Sequence, residues 1–377
     1  MKIAILTQPL GKNYGGIMQG WALQQVLTCM GHEVVTIDRQ PDKRSLFIRL
    51  LLPFKPLIFK VLGRKYIPSL SAQQSDYVFA GLVNFVNKNM VMSEPINSTP
   101  QLKAHYQQNQ YQLVVVGSDQ VWRPRYSPNI YNFFVDFIEP NDKAITYAAS
   151  FGVDEWEYDH EQSQTCKKLA QRFNAVSVRE KSAIDLCKNQ LGIEAEFVLD
   201  PTLLVSASDY GKLIIDKNTK AKGKVFSYLL DPSNQKQALV EEVAQHLNKA
   251  THSGLPAKDP RNAASSNDFA QIDDYKYPTV EAWISGFRDA DFVITDSFHG
   301  CVFSIIFNKP FIAIGNIDRG LSRFHSLLNT FNLTDRLVLD NEKAILELVN
   351  KPLDWESVNA LLAKHQKSSK EFLARNI

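Results

Sequence analysis

The chain is poor in paired cysteines, in long apolar runs and in net charge, and each shortage argues against a class of protein. Its four cysteines (Cys29, Cys166, Cys187 and Cys301) lie far apart and form no C-x-x-C pair, which argues against a disulfide scaffold or a zinc ribbon. Each falls in a predicted helix, so we expect them to pack in the core of a protein from a reducing cytoplasm.

No stretch reaches the ~20 apolar residues that a membrane-spanning helix needs. The opening residues MKIAILTQPL turn polar too soon for a signal peptide. The net charge is only +2, and outside one basic segment the chain is slightly acidic, so nucleic-acid binding is not expected. These features predict a cytoplasmic protein that is soluble, or peripheral at the inner face of the membrane.

Several catalytic motifs are also missing. The sequence contains no H-E-x-x-H, no zinc-ligand spacing, no G-x-S-x-G and neither glycine-rich nucleotide motif. Asp289-Ala290-Asp291 matches the metal-holding D-x-D of many sugar transferases, but it precedes a strand instead of following one. We interpret it as a helix-to-strand turn, and we predict neither a metal site nor a cofactor.

What the sequence does have is a regular alternation of strand and helix patterns. Strands are predicted at 2–6, 33–37, 112–116, 144–148, 175–178 and 196–199, then at 224–230, 291–295 and 310–314; helices are predicted at 17–30, 75–89, 161–173 and 181–190, then at 235–248, 279–288, 301–307 and 357–374. Residues 251–273 are predicted to form a surface loop or flap. Such alternation is typical of parallel, doubly wound sheets.

The chain is too long for one core, and the polar stretch 215–223 predicts a link between two halves. We therefore predict an α/β fold of two Rossmann-like, doubly wound domains that face a cleft. Their predicted bounds are 1–215 and 216–355, with 356–377 as a C-terminal helix.

The strand at 291–295 runs directly into Asp296-Ser297-Phe298-His299-Gly300 and then into an apolar helix. Ligands of parallel sheets bind at the carboxyl ends of strands, against the N–H groups that open the next helix. His299 is therefore predicted to place a titratable group at an anion-attracting position, with Ser297 and Gly300 beside it.

Two loops of the first half occupy the equivalent position. Gly11–Gly16 follows the first strand, and there Asn13, Gly15 and Gly16 would either approach a ligand or form a simple tight turn. Gly117–Pro124 follows the third strand. In that loop Asp119 could accept a proton from a sugar hydroxyl and Trp122 could stack on a sugar, or Ser118 and Trp122 could be a cap and a core residue.

Two arginine-bearing segments are candidates for holding an anion. Arg179 ends a strand just before Glu180, and a guanidinium matches carboxylate and phosphate groups; the alternative is a plain surface pair. The segment 319–325 follows the strand at 310–314, which is the last strand predicted. It would place Arg323 and His325 near His299, or else form a solvated basic loop.

Six segments, taken together and in order, resemble the polysaccharide pyruvyl transferase family. They are Asn13-Tyr14-Gly15-Gly16, Val116–Trp122, Tyr147–Gly152, Ser177-Val178-Arg179-Glu180, Asp200-Pro201-Thr202 and Thr295–Gly300. The resemblance implies a GT-B-like fold and the transfer of pyruvate from phosphoenolpyruvate to two hydroxyls of a sugar, which forms a cyclic ketal. It implies an oligosaccharide or lipid-linked glycan acceptor, as in exopolysaccharide and other cell-envelope glycan synthesis.

That chemistry assigns expected roles to the candidate residues. His299 would be the acid, Asp119 the base for the acceptor hydroxyl, and Arg179 the clamp on the donor's anionic groups. Ser297, Gly300, Arg323 and His325 would complete the donor site; Asn13, Gly15, Gly16, Ser118 and Trp122 would meet the acceptor. Well-studied relatives have a triplet similar to Arg-Leu-His at the position where this chain has Ser297-Phe298-His299. The cation of that arginine is therefore missing here, and Arg323 could supply it.

The basic segment is 45–66, in which lysines and arginines alternate with apolar residues. Such a segment either docks on an anionic membrane or is a buried excursion between two elements. Two other functions stay open: a GT-B glycosyltransferase that uses a nucleotide sugar, and a non-catalytic glycan-binding relative, for which Ser297 is the best support.

Overall fold

A computed structural model describes residues 1–42, 59, 68–214, 220–315, 320–339 and 345–377, and two parallel sheets dominate these residues. The strands are β1 (Lys2–Leu6), β2 (Glu33–Ile37), β3 (Leu113–Val116), β4 (Ala144–Thr146), β5 (Ser177–Val178), β6 (Glu196–Phe197), β7 (Val225–Tyr228), β8 (Thr251–Ser253), β9 (Phe292–Thr295), β10 (Phe311–Gly315) and β11 (Leu337–Leu339). The first sheet has the order β2-β1-β3-β4, the second has the order β11-β10-β9-β7-β8, and β5 pairs with β6.

Helices cover both sheets. They are α1 (Tyr14–Cys29), α2 (Ala72–Val78), α3 (Ala80–Asn89), α4 (Thr99–Asn109), α5 (His160–Ala170), α6 (Ser182–Leu186), α7 (Ala207–Leu213), α8 (Asn234–His246), α9 (Val280–Asp289), α10 (Phe298–Ile306), α11 (Ser322–Thr330), α12 (Ile345–Asn350) and α13 (Trp355–Asn376). None of the described helices has the length and apolar character needed to cross a membrane.

The central strands form because they are short apolar runs that the helices bury on both faces. Strand β3 is Leu-Val-Val-Val and is buried at every position, as are β9 and β10; continuous apolar strands of this kind are typical of parallel sheets. The register aligns Leu6 with Val116 and Tyr228 with Thr295. The carboxyl ends of neighbouring strands therefore open onto one edge of each sheet.

One tyrosine joins the two domains. Tyr14, at the start of α1, stacks parallel on Trp283 of the second domain with 5.0 Å between ring centroids. Its hydroxyl donates to the Pro278 carbonyl at 2.6 Å. Burial in this aromatic cluster raises the pKa of Tyr14 far above its usual value, so the hydroxyl stays a neutral donor. The contact holds the N-terminus of α1 against the second domain.

The last helix returns to the first domain. Within α13, Ser369 accepts a hydrogen bond from the Leu199 N–H at 3.0 Å, and Gln366 donates to the Leu203 carbonyl at 2.6 Å. Since both partners follow β6, α13 closes the chain over the first domain.

Several predicted bounds differ from the structure for local physical reasons. Helix α1 begins at Tyr14, three residues before the predicted start, because the Asn13 side chain accepts from the Gly15 N–H and caps it. The helix predicted at 75–89 is two helices that meet at Phe79. The predicted loop at 251–273 begins with a strand, β8.

Three further predictions concern position and burial. Cys29 is exposed at the end of α1, whereas the other three cysteines are buried as expected. The turn at Asp289-Ala290-Asp291 is confirmed, since α9 ends at Asp289 and β9 begins at Phe292. The segment 45–66 lies outside the described residues apart from Phe59, and so do residues 215–219 of the predicted link.

Candidate active site

A cavity of about 1140 Å³ lies between the domains and draws its walls from both. The first domain contributes the loops after β1 and β3, and the second contributes the loop after β7 and the N-terminal ends of α10 and α11. Of the predicted site residues, Asn13, Asp119, Ser297, His299 and Arg323 line this cavity. Because these residues follow the carboxyl ends of parallel strands, four separate segments of the chain meet at this cavity.

His299 lies in the first turn of α10 and packs against the other domain. A Cβ atom placed on Gly15 would lie 2.1 Å from the imidazole Nδ1 of His299, which is closer than atoms can approach. Gly15 was predicted to meet the acceptor. Instead, its missing side chain makes room for His299, and it is buried.

Asp200 faces the other nitrogen of the same ring. Its Oδ2 lies 3.6 Å from His299 Nε2, and Nε2 has no hydrogen-bond partner among the described residues. Thr202 fixes the opposite carboxylate oxygen through its N–H at 3.0 Å and its hydroxyl at 2.6 Å. Burial alone would raise the pKa of Asp200, but His299, Arg179 and Thr202 outweigh it and hold the pKa well below its usual range.

Arg179 does not lie where the sequence predicted a donor clamp. It is 4 % exposed and does not line the cavity. Its guanidinium donates to Asp200 at 2.8 Å and to Asp119 at 3.3 Å, and it lies over the Phe298 ring. Because its two terminal nitrogens bind internal carboxylates and the side chain does not line the cavity, Arg179 is a positioning residue and not a ligand for the donor.

The charges around Arg179 explain why it stays cationic. Burial would lower its pKa, but the carboxylates of Asp200, Asp119 and Glu180 outweigh that effect and raise the pKa instead. Glu180 in turn accepts from the Ser150 hydroxyl at 2.8 Å and from the Phe151 N–H at 2.9 Å. The alternative of a plain surface pair is therefore wrong: both residues are buried.

Asp119 occupies a backbone conformation that few side chains adopt. Its φ is +75°, in the left-handed region, which aspartate tolerates better than most residues but which is concentrated at functional sites. This conformation keeps its carboxylate at the cavity wall, bonded to Arg179 on one oxygen. A Cβ on Gly16 would lie 3.7 Å from the other oxygen, so Gly16 borders Asp119.

Arg323 lines the cavity and forms no ion pair with any residue that the structure describes. It lies in the first turn of α11, not in the predicted loop, and its buried Nε has no hydrogen-bond partner among the described residues. Burial, with the positive charge of Arg179 nearby, lowers the pKa of Arg323 to about 10. Arg323 therefore remains charged at neutral pH; the carboxylates of Glu180 and Asp119 attract it, but none of the described carboxylates forms an ion pair with it.

His325, which was predicted beside Arg323, is exposed on the same helix and does not line the cavity. The difference arises because the segment is helical: residues two positions apart on a helix point in different directions. His325 is therefore not part of this site.

Two residues predicted to meet the acceptor belong to the core. Trp122 is fully buried, donates from its indole N–H to the Phe133 carbonyl at 2.9 Å and stacks on Phe134. Ser118 is fully buried as well, and its hydroxyl donates to the Ala148 carbonyl at 3.0 Å. Neither side chain can reach a sugar in this structure.

Ser297 and Gly300 differ in what they do at the start of α10. Ser297 lines the cavity, and its side chain makes no capping hydrogen bond. A Cβ on Gly300 would lie 2.1 Å from the Thr295 hydroxyl, so this glycine lets α10 pack against β9. Gly300 is a packing residue, whereas Ser297 lines the cavity without capping the helix N–H groups.

The sequence reasoning also missed a buried ion pair in the cavity floor. Asp296 accepts from the Lys236 ammonium at 2.8 Å, and both side chains are buried. A second carboxylate oxygen accepts from the backbone N–H of Leu230. In the sequence, the only indication of this pair is that Asp296 directly follows a strand. That position does not identify Lys236 as its partner.

The fold and this cleft define a GT-B protein, with two Rossmann-like α/β domains and a site between them. Three solved structures share this fold. The glycotransferase of kitacinnamycin is 13 % identical, with 100 % of this chain and 98 % of that chain covered and a TM-score of 0.52. The S. aureus MnaA–UDP co-structure is 10 % identical, with coverages of 96 % and 91 % and a TM-score of 0.53. The UDP-GlcNAc 2-epimerase from Neisseria meningitidis bound to UDP-GlcNAc is 9 % identical, with coverages of 100 % and 99 % and a TM-score of 0.51. At such low identities the likeness concerns the fold alone.

The chain belongs to the polysaccharide pyruvyl transferase family, whose model matches residues 13–319. No curated protein matches it. The family implies a transferase, and the matched range includes the first-domain site loops and α10. It ends before α11, which carries Arg323.

Replacing Gly15 with alanine should disable the site without unfolding the chain. The added Cβ would collide with His299 Nδ1 at 2.1 Å, so the imidazole must move. A displacement of about 1 Å costs on the order of a hundredfold in rate. We expect a loss of that size in a transferase assay, with a cooperative melting transition by circular dichroism.

Gly20→Ala on the same helix is the matched control, because its Cβ would make an ordinary contact with Leu10 at 3.4 Å. That variant should keep its activity. Full activity in Gly15→Ala would show that the position of His299 is not important for the reaction.

Asp200 should make stability depend on acidity in a defined direction. Its pKa is lower in the folded state than in the unfolded state, so its contribution is present above about pH 4 and is lost as the pH falls below that value. Between pH 5 and pH 3 the wild type should lose about 1 kcal/mol more unfolding free energy than Asp200→Asn. Urea titrations at both pH values test this, with the exposed Asp185→Asn as control; equal losses in wild type and Asp200→Asn would contradict it.

Proposed function

We propose that the protein transfers pyruvate from phosphoenolpyruvate to two hydroxyls of a glycan sugar, forming a cyclic ketal and releasing phosphate. The observation that carries the proposal is Arg323, a guanidinium that lines the same cleft as His299 and the N-terminus of α10, and whose Nε has no hydrogen-bond partner among the described residues. A small, multiply anionic donor is the type of ligand that would pair with it.

The donor's anionic groups have two partners in this site. Arg323 supplies a forked donor, and the first N–H groups of α10 have no partner within the helix. Ser297 supplies a small hydroxyl between them. Helix N-termini and arginine are the groups that proteins use for phosphate and carboxylate. With Arg179 bound internally, Arg323 takes the role that the sequence gave to Arg179.

His299 would protonate the donor's methylene carbon. The ring lines the cavity, and its Nε2 lies 3.6 Å from the Asp200 carboxylate and has no hydrogen-bond partner among the described residues. Protonation would turn the enol ester into an oxocarbenium-like centre that a hydroxyl can attack. The imidazole is held between Gly15 and Asp200, so it meets the substrate in one orientation.

Asp119 would receive the proton of the attacking hydroxyl. It lines the cavity on the first-domain side, and its hydrogen bond to Arg179 keeps one oxygen fixed. A carboxylate of this kind acts as a general base when a hydroxyl is within hydrogen-bond reach. The acid and the base therefore come from opposite domains, with the donor and the acceptor between them.

The protons released and taken up in the proposed reaction balance with His299 and Asp119 as the only acid and base. Two hydroxyl protons are lost as the two ketal bonds form. One proton ends on the methylene carbon, which becomes a methyl group, and the other leaves with the phosphate after the carbon–oxygen bond to phosphate breaks. No external acid is consumed, so His299 and Asp119 need only pass protons between the reacting groups.

The acceptor class rests on the family and not on a contact in the cavity. We propose that the acceptor is an oligosaccharide or a lipid-linked glycan. We also propose that the segment 45–66 contacts a membrane.

Phosphate release tests the function directly. We expect inorganic phosphate to appear from phosphoenolpyruvate when hexose-terminated acceptors are added, and His299→Ala to lower the rate by at least about a hundredfold. The exposed His325→Ala is the matched control and should retain the rate. Stabilisation by a uridine diphosphate sugar but not by phosphoenolpyruvate, in a thermal-shift assay, would instead favour a glycosyltransferase.

Arg323→Gln should separate stability from donor binding. Removing a half-buried cation that has no ion pair among the described residues, together with its repulsion from Arg179, should raise the Tm of the unliganded protein by about 2 °C. The same change should abolish the rise in Tm that phosphoenolpyruvate produces in the wild type. Arg375→Gln, an exposed arginine on α13, is the charge-matched control and should keep that rise. An unchanged donor-induced shift in Arg323→Gln would refute its role.

A further inference from the structure

One exposed aromatic side chain lines the cavity. The large apolar side chains that stay exposed in the described part of the chain are Met1, Tyr77, Val83, Val91, Tyr126 and Leu339. Of these, only Tyr126 lies in the cavity wall, and it is 49 % exposed. Trp122, the aromatic expected to meet a sugar, is buried four residues earlier in the same loop.

The ring of Tyr126 is held on one face. The guanidinium of Arg123 lies over its ring, 4.9 Å from the centroid. Glu157 fixes that guanidinium through two hydrogen bonds of 2.7 Å each. This pairing raises the pKa of Arg123 and lowers that of Glu157, so both stay charged. A cation that is itself held in place thus covers one side of the ring.

The loop that carries Tyr126 is also fixed. The amide nitrogen of Gln8, just past β1, donates to the Gln120 carbonyl and to the Ser127 hydroxyl, each at 2.9 Å. The Tyr126 N–H donates to the Arg123 carbonyl at 3.0 Å. Because the same loop begins with Asp119, the aromatic ring and the proposed base belong to one preorganised unit.

The size of the cavity leaves room for a second ligand beside the donor. Phosphoenolpyruvate is a small molecule and would fill only a minor part of a cavity of about 1140 Å³. Arg323 and α10, which would hold it, belong to the second domain, whereas Tyr126 belongs to the first. The unfilled part therefore extends to the wall that carries Tyr126.

We propose that Tyr126 is the platform on which a pyranose ring of the acceptor stacks, which presents its hydroxyls to Asp119; this rests on the proposed function. The C–H groups on one face of a pyranose form an apolar patch that packs on a flat aromatic ring. Tyrosine suits such a site because it joins a large apolar face to a polar edge and loses little entropy when it is already held.

Sugar binding tests the platform independently of the donor. Saturation-transfer NMR with methyl hexopyranosides (glucoside, galactoside and mannoside) should detect binding of at least one sugar to the full chain without phosphoenolpyruvate. Tyr126→Leu keeps apolar area but loses the flat face, and it should weaken that binding roughly tenfold. Tyr126→Phe keeps the ring and should bind within about twofold of the wild type.

Two outcomes overturn the inference: no hexoside binds the wild type, or Tyr126→Leu binds as tightly as the wild type does. The donor is measured separately as the rise in Tm with phosphoenolpyruvate, which should be the same in wild type and both Tyr126 variants. Stacking on Tyr126 without any donor-induced rise would refute the proposed donor and leave the platform supported. A rise in Tm with phosphoenolpyruvate, without sugar stacking on Tyr126, would support the proposed donor and refute the platform.

Discussion

The contact between the His299 imidazole and Gly15 is the constraint on which the rest of the site depends. The ring belongs to the second domain, yet the space for it exists only because residue 15 has no side chain. Asp200 closes the other side of the ring. Because Tyr14 anchors the adjacent turn to the second domain through Trp283, the position of the imidazole and the closure of the cleft are set by the same few residues. Anything that separates the domains also removes the environment of the proposed acid.

The second organising feature is the way in which charge is distributed. Arg179 has carboxylates on several sides and therefore stabilises the site internally, while Arg323 has no bonded carboxylate among the described residues. Withdrawing a cation from water without a bonded partner opposes folding, so the unliganded protein carries an electrostatic cost at the cleft. A bound anion would remove that cost, and a fixed cation needs no rearrangement when the anion arrives. Preorganised charge of this type is the usual source of electrostatic catalysis.

Much of this arrangement could be predicted from the sequence, because parallel strands obey a simple rule. Apolar runs predicted the main strands, and the residues that follow them, Asn13, Asp119 and His299, do converge. Which side chains are buried, and which charged side chains pair with each other, could not be predicted in this way. Trp122 and Arg179 look like ligand-binding residues in a linear motif, and only the packing of distant elements makes one a core residue and the other a positioning residue. The exposed Tyr126 had no motif to mark it.

The serine at position 297 takes on a different meaning in this setting. If its presence in place of arginine had left the cleft without a free cation, a non-catalytic relative would be the simpler interpretation. Instead α11 places Arg323 at the same cavity. A protein that only binds neutral glycans gains nothing from a half-buried guanidinium whose pKa is lowered to about 10, since that group weakens the fold and offers no apolar surface. The proposed anionic donor would offset that cost, and Ser297 does not cap the helix N–H groups that would share the anion.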